Sequence, residues 1–391
     1  MRIAKRLQEI KPSATLAVSS KAMELRAQGK EIISLSVGET DFPTPEHIRT
    51  AAKKAIDEGY ARYTQVPGLP EVREAVAGYF NKTTGVSAEG KHTIVTNGGK
   101  QALFNLFQCL LDPGDEVLVP APYWVSYPAM IQLAQGVTVA VPTTSENGFK
   151  AQVEDIKAAI TDKTRAIIIS SPSNPTGATY SREELDAIME LVLEKGLFVI
   201  SDEIYDQLVY PPAEHASVAP WWEKAPEQVA VLNGLSKSFC MTGWRVGYCL
   251  THEDMIKAMS KIQSQSTSNV NVIAQKAAIA ALTGPLDELK TMRDVFMRRR
   301  DLLLERLNGW SGVTCPKPDG AFYVFPDVSA LYDAKRPDST TMCTSLLEEA
   351  GVATVPGAAF GEDRCIRISY ALDDAVMSDA LDRIAKALGL S

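Results

Sequence analysis

The stretch that decides the reading is Asn233-Gly-Leu-Ser-Lys237-Ser-Phe-Cys-Met-Thr-Gly-Trp-Arg245-Val-Gly247. It lies between two short runs rich in β-branched and apolar residues, 229–233 and 246–250, and has no apolar repeat of helical period. A lysine followed eight residues later by an arginine, among Ser, Thr and Gly, supports two readings on its own. It is either a plain polar loop or a loop that offers cations to a ligand. The strand ends upstream bear on the choice. Ser170-Ser-Pro-Ser-Asn174-Pro-Thr-Gly177 begins where the run 165–170 stops, and Ser201-Asp202-Glu-Ile-Tyr205 begins where the run 198–201 stops. Ligands of open α/β sheets bind beyond the carboxyl ends of the strands, so Asn174, Asp202 and Lys237 are expected to converge there.

Working outward, strands are predicted at 93–96, 116–120, 137–141, 165–170, 198–201, 229–233 and 246–250. Helical patterns at 99–111, 125–134, 153–160 and 181–195 fall between them, which is the alternation of an α/β domain with a largely parallel sheet. Ser181-Arg-Glu-Glu184 reads as a capping box, the hydroxyl and the carboxylate each satisfying an orphan amide. After Leu250 the pattern changes to long helical stretches at 253–282 and 285–307, turning at Thr283-Gly284-Pro285 and stopping near Asn308-Gly309. Strand-like 321–325 and 365–370 and an amphipathic helix at 373–388 follow. The expected organisation is an N-terminal segment of a small domain (1–45), a large domain (46–285) and the rest of the small α+β domain (286–391).

The chain has 391 residues, 45% hydrophobic and 23% charged, which excludes collagen-like and disordered classes. A formal charge of −8 argues against a coat for a nucleic-acid backbone, so an anionic ligand needs a local cationic pocket. Six scattered cysteines and four histidines form no C-x-x-C pair, so neither a metal site nor a disulfide framework is expected. The first residues lack the apolar stretch of a signal peptide, and no run approaches the roughly 18 apolar residues of a membrane span. A soluble, cytoplasmic protein is expected. Gly85-Val-Ser-Ala-Glu-Gly90-Lys91 has P-loop spacing but is followed by His92 and precedes a strand, so it reads as coincidence. Asn81-Lys-Thr83 fits a glycosylation acceptor but carries little weight without a secretion signal. Arg298-Arg-Arg300 reads as a solvated helix face.

Taken together, these motifs resemble those of class I aminotransferases of the pyridoxal-phosphate fold type I superfamily, and most closely the bacterial aspartate aminotransferase branch. The resemblance runs from Lys11-Pro-Ser-Ala-Thr15 through Ser36-Val-Gly38-Glu-Thr-Asp-Phe to Arg367-Ile-Ser-Tyr370. It implies a mostly parallel seven-stranded large domain, a smaller domain and pyridoxal 5′-phosphate as cofactor. It further implies that Lys237 holds the cofactor as a Schiff base and shuttles the substrate proton, a task that needs an amine. Asp202 would pair with the pyridine nitrogen and keep the ring an electron sink, while Asn174 and Tyr205 would bond its phenolic oxygen. Backbone amides at Gly98, Gly99 and Lys100, at a helix N-terminus, would hold the phosphate with Ser236 and Arg245. Trp124, in Pro122-Tyr-Trp-Val-Ser-Tyr127, would stack on the ring. Tyr63 would reach the phosphate of a neighbouring subunit, which implies a homodimer with shared active sites.

For the substrate, the resemblance implies that Arg367 clamps the α-carboxylate through its bidentate fork, with Gly38 approaching through its backbone and Asn174 and Trp124 beside it. Lys100 would meet a distal carboxylate, since a cation suits a helix N-terminus poorly unless an anion is present. Amino and oxo diacids are therefore the expected substrates, and aspartate:2-oxoglutarate transamination by a ping-pong cycle the expected reaction, within amino-acid biosynthesis. Lys11 occupies a place where relatives that also transaminate prephenate carry a lysine, so that activity stands as an addition or alternative. A carbon–sulfur or aminocyclopropane-forming lyase shares the cofactor residues. A regulator built on this fold would need a DNA-binding domain ahead of it, and only about forty residues precede the fold.

Overall fold

The computed structural model describes residues 2–8, 10 and 12–390. Its centre is a seven-stranded sheet running, edge to edge, Thr93–Thr96, Gly247–Leu250, Val229–Gly234, Phe198–Asp202, Thr164–Ser170, Glu116–Pro120 and Val137–Val141. All neighbours are parallel except Gly247–Leu250, which runs antiparallel to both of its partners. The inner strands are buried residue after residue, as expected where helices cover both faces and continuous Ile and Val runs replace alternation. Helices Gly99–Leu110, Ser126–Leu133, Val153–Ala159 and Arg182–Glu194 follow the predicted order. The capping box forms: Ser181 Oγ accepts from the Glu184 amide at 3.2 Å, and Glu184 Oε2 accepts from the Ser181 amide at 2.8 Å.

The strand registers bring one edge of the sheet together. Ser170 stands level with Asp202, and Gly234 with Gly247, which is itself paired with Thr96. Because the Gly247 strand is reversed, its start lies beside the carboxyl ends of the others, and Arg245 arrives at the same edge as Asp202.

A second core gathers around a three-stranded antiparallel sheet of Val355–Pro356, Ile366–Ser369 and Tyr323–Val324, with Ile33–Ser34 pairing in parallel with Val352–Ala353 nearby. Ser369 donates its amide to Leu35 O at 2.8 Å, so the segment that carries Gly38 is stitched to this sheet before it crosses to the large one.

Two expectations are corrected. The stretch 253–282 is two helices, Glu253–Ser264 and Val272–Thr283. The second starts on Asn271, whose side chain accepts from the Ile273 and Ala274 amides at 2.9 and 3.2 Å, an N-cap that ends the apparent continuity. Arg298-Arg-Arg300 is not a solvated face, because Arg299 and Arg300 are only 6% and 2% exposed. Arg299 forks onto Asp41 at 2.9 and 2.8 Å and bonds Asp374 at 2.9 Å. Arg300 bonds Asp301 and Pro318 O and lies over the Tyr210 ring at 4.8 Å. Helix Asp287–Gly309 turns Arg299 and Arg300 inward, where each meets a carboxylate, and leaves only Arg298 of the run exposed.

All six cysteines are free thiols. Among the described residues no helix is long and apolar enough to cross a membrane. The P-loop-like stretch ends helix Pro70–Thr84 at a left-handed Gly85 and makes a short turn at Gly90–His92, away from the convergent strand ends.

Candidate active site

Where the strand ends converge lies a cavity of about 460 Å³, bounded by Gly38, Trp124, Asn174, Asp202, Lys237 and Arg245 among others. Lys237 is delivered by the loop after strand Val229–Gly234, and its Nζ donates to Gly38 O from the crossing segment. Burial, then the Arg367 charge, pull this amine down to about 8, so near neutral pH a real fraction is the neutral nucleophile.

Asp202 ends its strand fully inside the protein. One carboxylate oxygen accepts from Tyr127 Oη at 2.7 Å, the other only a long 3.4 Å bond from the Ile204 amide. Burial raises its pKa, the Tyr127 hydrogen bond opposing. A protonated ring nitrogen placed against the weakly bonded oxygen would relieve that desolvation, so the residue fits a pyridinium partner. Trp124, half-buried, meets Tyr127 edge to face at 5.4 Å and forms a flat wall of the cavity.

At the other end is an anion cradle. Helix Gly99–Leu110 points its N-terminus at the cavity, and Gly99 and Lys100 line it. Gly98 takes φ of 85°, and a Cβ there would collide with the Arg245 guanidinium. Arg245 is itself left-handed (φ 57°) and is held by Thr242 O at 2.7 Å. Ser236 and Thr242 also face this end. The Gly98 amide, expected to join this cradle, is instead bonded to Thr96 O at 2.7 Å; the helix N-terminus at Gly99 and Lys100, the hydroxyls and the guanidinium together fit a phosphate dianion. The residues present therefore suit pyridoxal phosphate at both its ends.

Arg367, on strand Ile366–Ser369, is 2% exposed. It donates to Asn174 Oδ1 at 2.9 Å and to Ser36 O at 2.6 Å, and its Nε has no partner. It makes no ion pair with any described residue. Burial lowers its pKa, and the Tyr323 and Phe360 rings at 4.5 and 5.2 Å take the place of a counter-ion. Asn174, its Oδ1 committed to Arg367, keeps its amide nitrogen for a ligand. Lys100 is open to solvent on its outer side, but its ammonium lies 4.8 Å over the Trp124 ring, where desolvation and then Arg245 lower its pKa.

Most of the residues singled out from sequence are thus brought together: Gly38, Gly98, Gly99, Lys100, Trp124, Asn174, Asp202, Tyr205, Ser236, Lys237, Arg245 and Arg367. Tyr63 is not, being 90% exposed and outside the cavity. Lys11 lies outside the described residues. Sequence reasoning missed Tyr127, which holds Asp202, and Tyr323, whose Oη is 3.0 Å from Tyr205 Oη. Tyr127 carried one signal, its place one helical turn beyond Trp124.

Residues 30–384 match the family described as aminotransferase class I and II. The chain is 47% identical over 393 residues to the aspartate/prephenate aminotransferase of Cereibacter sphaeroides, covering 98% of each. It is 46% identical over 387 residues to the aspartate aminotransferase of Geobacillus stearothermophilus, again covering 98% of each. Among solved structures, the aspartate aminotransferase of Thermus thermophilus with maleate superposes with a TM-score of 0.93 at 46% identity, covering 99% of this chain and all of that one. That of Rhizobium meliloti superposes with a TM-score of 0.96 at 38% identity over the whole of both chains.

Proposed function

The chain belongs to the class I and II aminotransferase family, and on that premise we propose that it moves the amino group of L-aspartate to 2-oxoglutarate, giving oxaloacetate and L-glutamate. It is a pyridoxal-phosphate-dependent transaminase. The observation that carries the dicarboxylate reading is the buried Arg367, with no anion among the described residues, behind the cavity-lining Asn174 that it bonds, while the ammonium of Lys100 lies over the Trp124 wall of the same cavity. Two cations beside one space suit a substrate with two carboxylates.

When bound, pyridoxal phosphate supplies an electron sink for the pair left at the α-carbon after deprotonation. The chain's residues do the rest. Gly99 and Lys100 amides, Ser236 and Arg245 would anchor the phosphate, with Gly98 giving the left-handed turn that leaves room for Arg245, and Asp202, braced by Tyr127, would accept from the ring N–H. Asn174 Nδ2 and Tyr205 Oη would donate to the ring oxygen, and Trp124 would cover one face. Arg367 and Gly38 would orient the α-carboxylate so that the Cα–H bond faces Lys237, whose amine would accept that proton and later give it back as general acid. Carbonyl contact with Gly38 keeps the amine at the substrate side of the cavity.

We assign Tyr63 to the phosphate site of a second copy, in a homodimer. Its 90% exposure supports this, as does the open hollow of about 630 Å³ beside Asn97, Trp244, Arg245 and Asn271, next to the cradle. The division into 1–45, 46–285 and 286–391 is proposed on the same footing, the second core lying around the sheet that holds Arg367.

Single-turnover half-reactions test the substrate. Mixed with aspartate alone, the loaded protein should release one equivalent of oxaloacetate with a change in cofactor absorbance, then stop until 2-oxoglutarate is added. Continued turnover without an oxo-acid would establish a lyase, and no response to aspartate beside a fast one to alanine or phenylalanine would overturn the diacid assignment. Arogenate in the same assay reports on prephenate chemistry, which the name of the Cereibacter relative raises.

A further inference from the structure

We propose that Tyr323 is a positioning residue of this site: its hydroxyl fixes the donor direction of Tyr205, and its ring forms the shelf on which Arg367 lies. The inference rests on the transaminase reading and deepens it.

Three contacts meet at this side chain. Its Oη is 3.0 Å from Tyr205 Oη, in a place closed to water. The Arg367 guanidinium lies 4.5 Å above its ring. Its hydroxyl is so close to Gly38 that a Cβ added there would stand 2.7 Å from it. One tyrosine thus touches the groups assigned to the cofactor oxygen, to the substrate carboxylate and to the backbone beside both. Strand register explains how. Tyr323 is the antiparallel partner of Ser369, and Arg367, two residues before Ser369, shares its face as a diagonal neighbour.

Two phenols at hydrogen-bond distance share one proton between their oxygens, so one donates and the other is left with a proton to point elsewhere. Burial first, and then each other's presence in the case of Tyr205, keep both phenols neutral across the physiological range. If Tyr323 donates, the Tyr205 proton is free for the cofactor's ring oxygen. That donation favours negative charge on the oxygen and hence the deprotonated chromophore. Without Tyr323 Oη, Tyr205 is free to turn, and its donation weakens.

The test is a pH titration of the visible absorbance of the loaded protein, with maleate binding as a second readout. Tyr323→Phe should raise the titration midpoint by about half a pH unit or more and leave maleate affinity near wild type. Tyr205→Phe should raise it further, and adding Tyr323→Phe to that variant should change nothing more. Tyr323→Leu should also weaken maleate roughly 3- to 30-fold, because it removes the aromatic face under Arg367. An unshifted midpoint in Tyr323→Phe, or a full additional shift on top of Tyr205→Phe, overturns the proposal while the wild type still titrates. A wild-type protein that takes up no pyridoxal phosphate overturns the transaminase reading instead, and this inference with it.

Discussion

Arg367→Lys is the most informative perturbation, because the structure separates its effect on binding from its effect on stability. The guanidinium spends one donor on Asn174 Oδ1 and one on Ser36 O, leaving Nε–H and further N–H groups unpaired for a carboxylate. A lysine keeps the charge but not the fork, so at least one charge-assisted hydrogen bond to the ligand is lost, about 1.5–3 kcal/mol. That corresponds to a roughly 10- to 150-fold weaker dissociation constant for maleate, a diacid without an amine. Aspartate kcat/KM should fall at least as far. Stability should hardly move. Arg367 has no described counter-ion and already bears its desolvation cost, so the ligand-free variant should melt close to wild type. With maleate at 100 times the wild-type dissociation constant, wild type gains about 2.7 kcal/mol and the variant about 0.3–1.4 kcal/mol. Calorimetric titration and thermal melts with and without maleate read both quantities. Maleate affinity within threefold of wild type would refute the assignment of Arg367 as the carboxylate clamp.

Gly247→Ala should cut affinity for pyridoxal phosphate, read by equilibrium dialysis, because its Cβ would strike the Gly99 amide at the phosphate cradle; unchanged affinity would remove Gly99 from that role. The rate at which cofactor-free protein takes up pyridoxal phosphate should rise with pH through about 8 and level off above it, since the Lys237 amine is protonated and inert below that value and neutral above it. A profile still climbing at the pH of an ordinary lysine, about 10.4, would show that burial does not activate this amine.

Much of the fold was legible because its signals are local. Each inner strand is a run of β-branched residues buried on both faces, and Ser181 with Glu184 announces a helix start through atoms three residues apart. The break at 265–271 is local too: Gln263 to Asn269 is polar throughout and Asn271 is a strong N-cap type, so the single helical stretch expected over 253–282 runs across a stop that the sequence does carry. Asn174, Asp202 and Lys237 could be read from strand ends alone, since an α/β sheet gathers those ends at one edge. Tyr323 could not, because its strand belongs to a different sheet and meets the site only through the pairing of Ser369 with Tyr323.

The arginines show what kind of information was missing. Arg299 and Arg300 stand in the charged run Arg298–Asp301 and Arg367 stands between Ile366 and Ile368, yet all three are buried. What separates them is the partner. Arg299 reaches Asp41 from more than 250 residues away, and Arg300 turns to the adjacent Asp301, so each is neutralised inside the protein and serves the fold. Arg367 finds only an amide oxygen, a carbonyl and two aromatic faces. A buried cation left short of one anion is tolerable only where a ligand supplies it. The net charge of −8 therefore says little about the substrate. The sign that matters is local, and it is set by which carboxylates the fold withholds from Arg367.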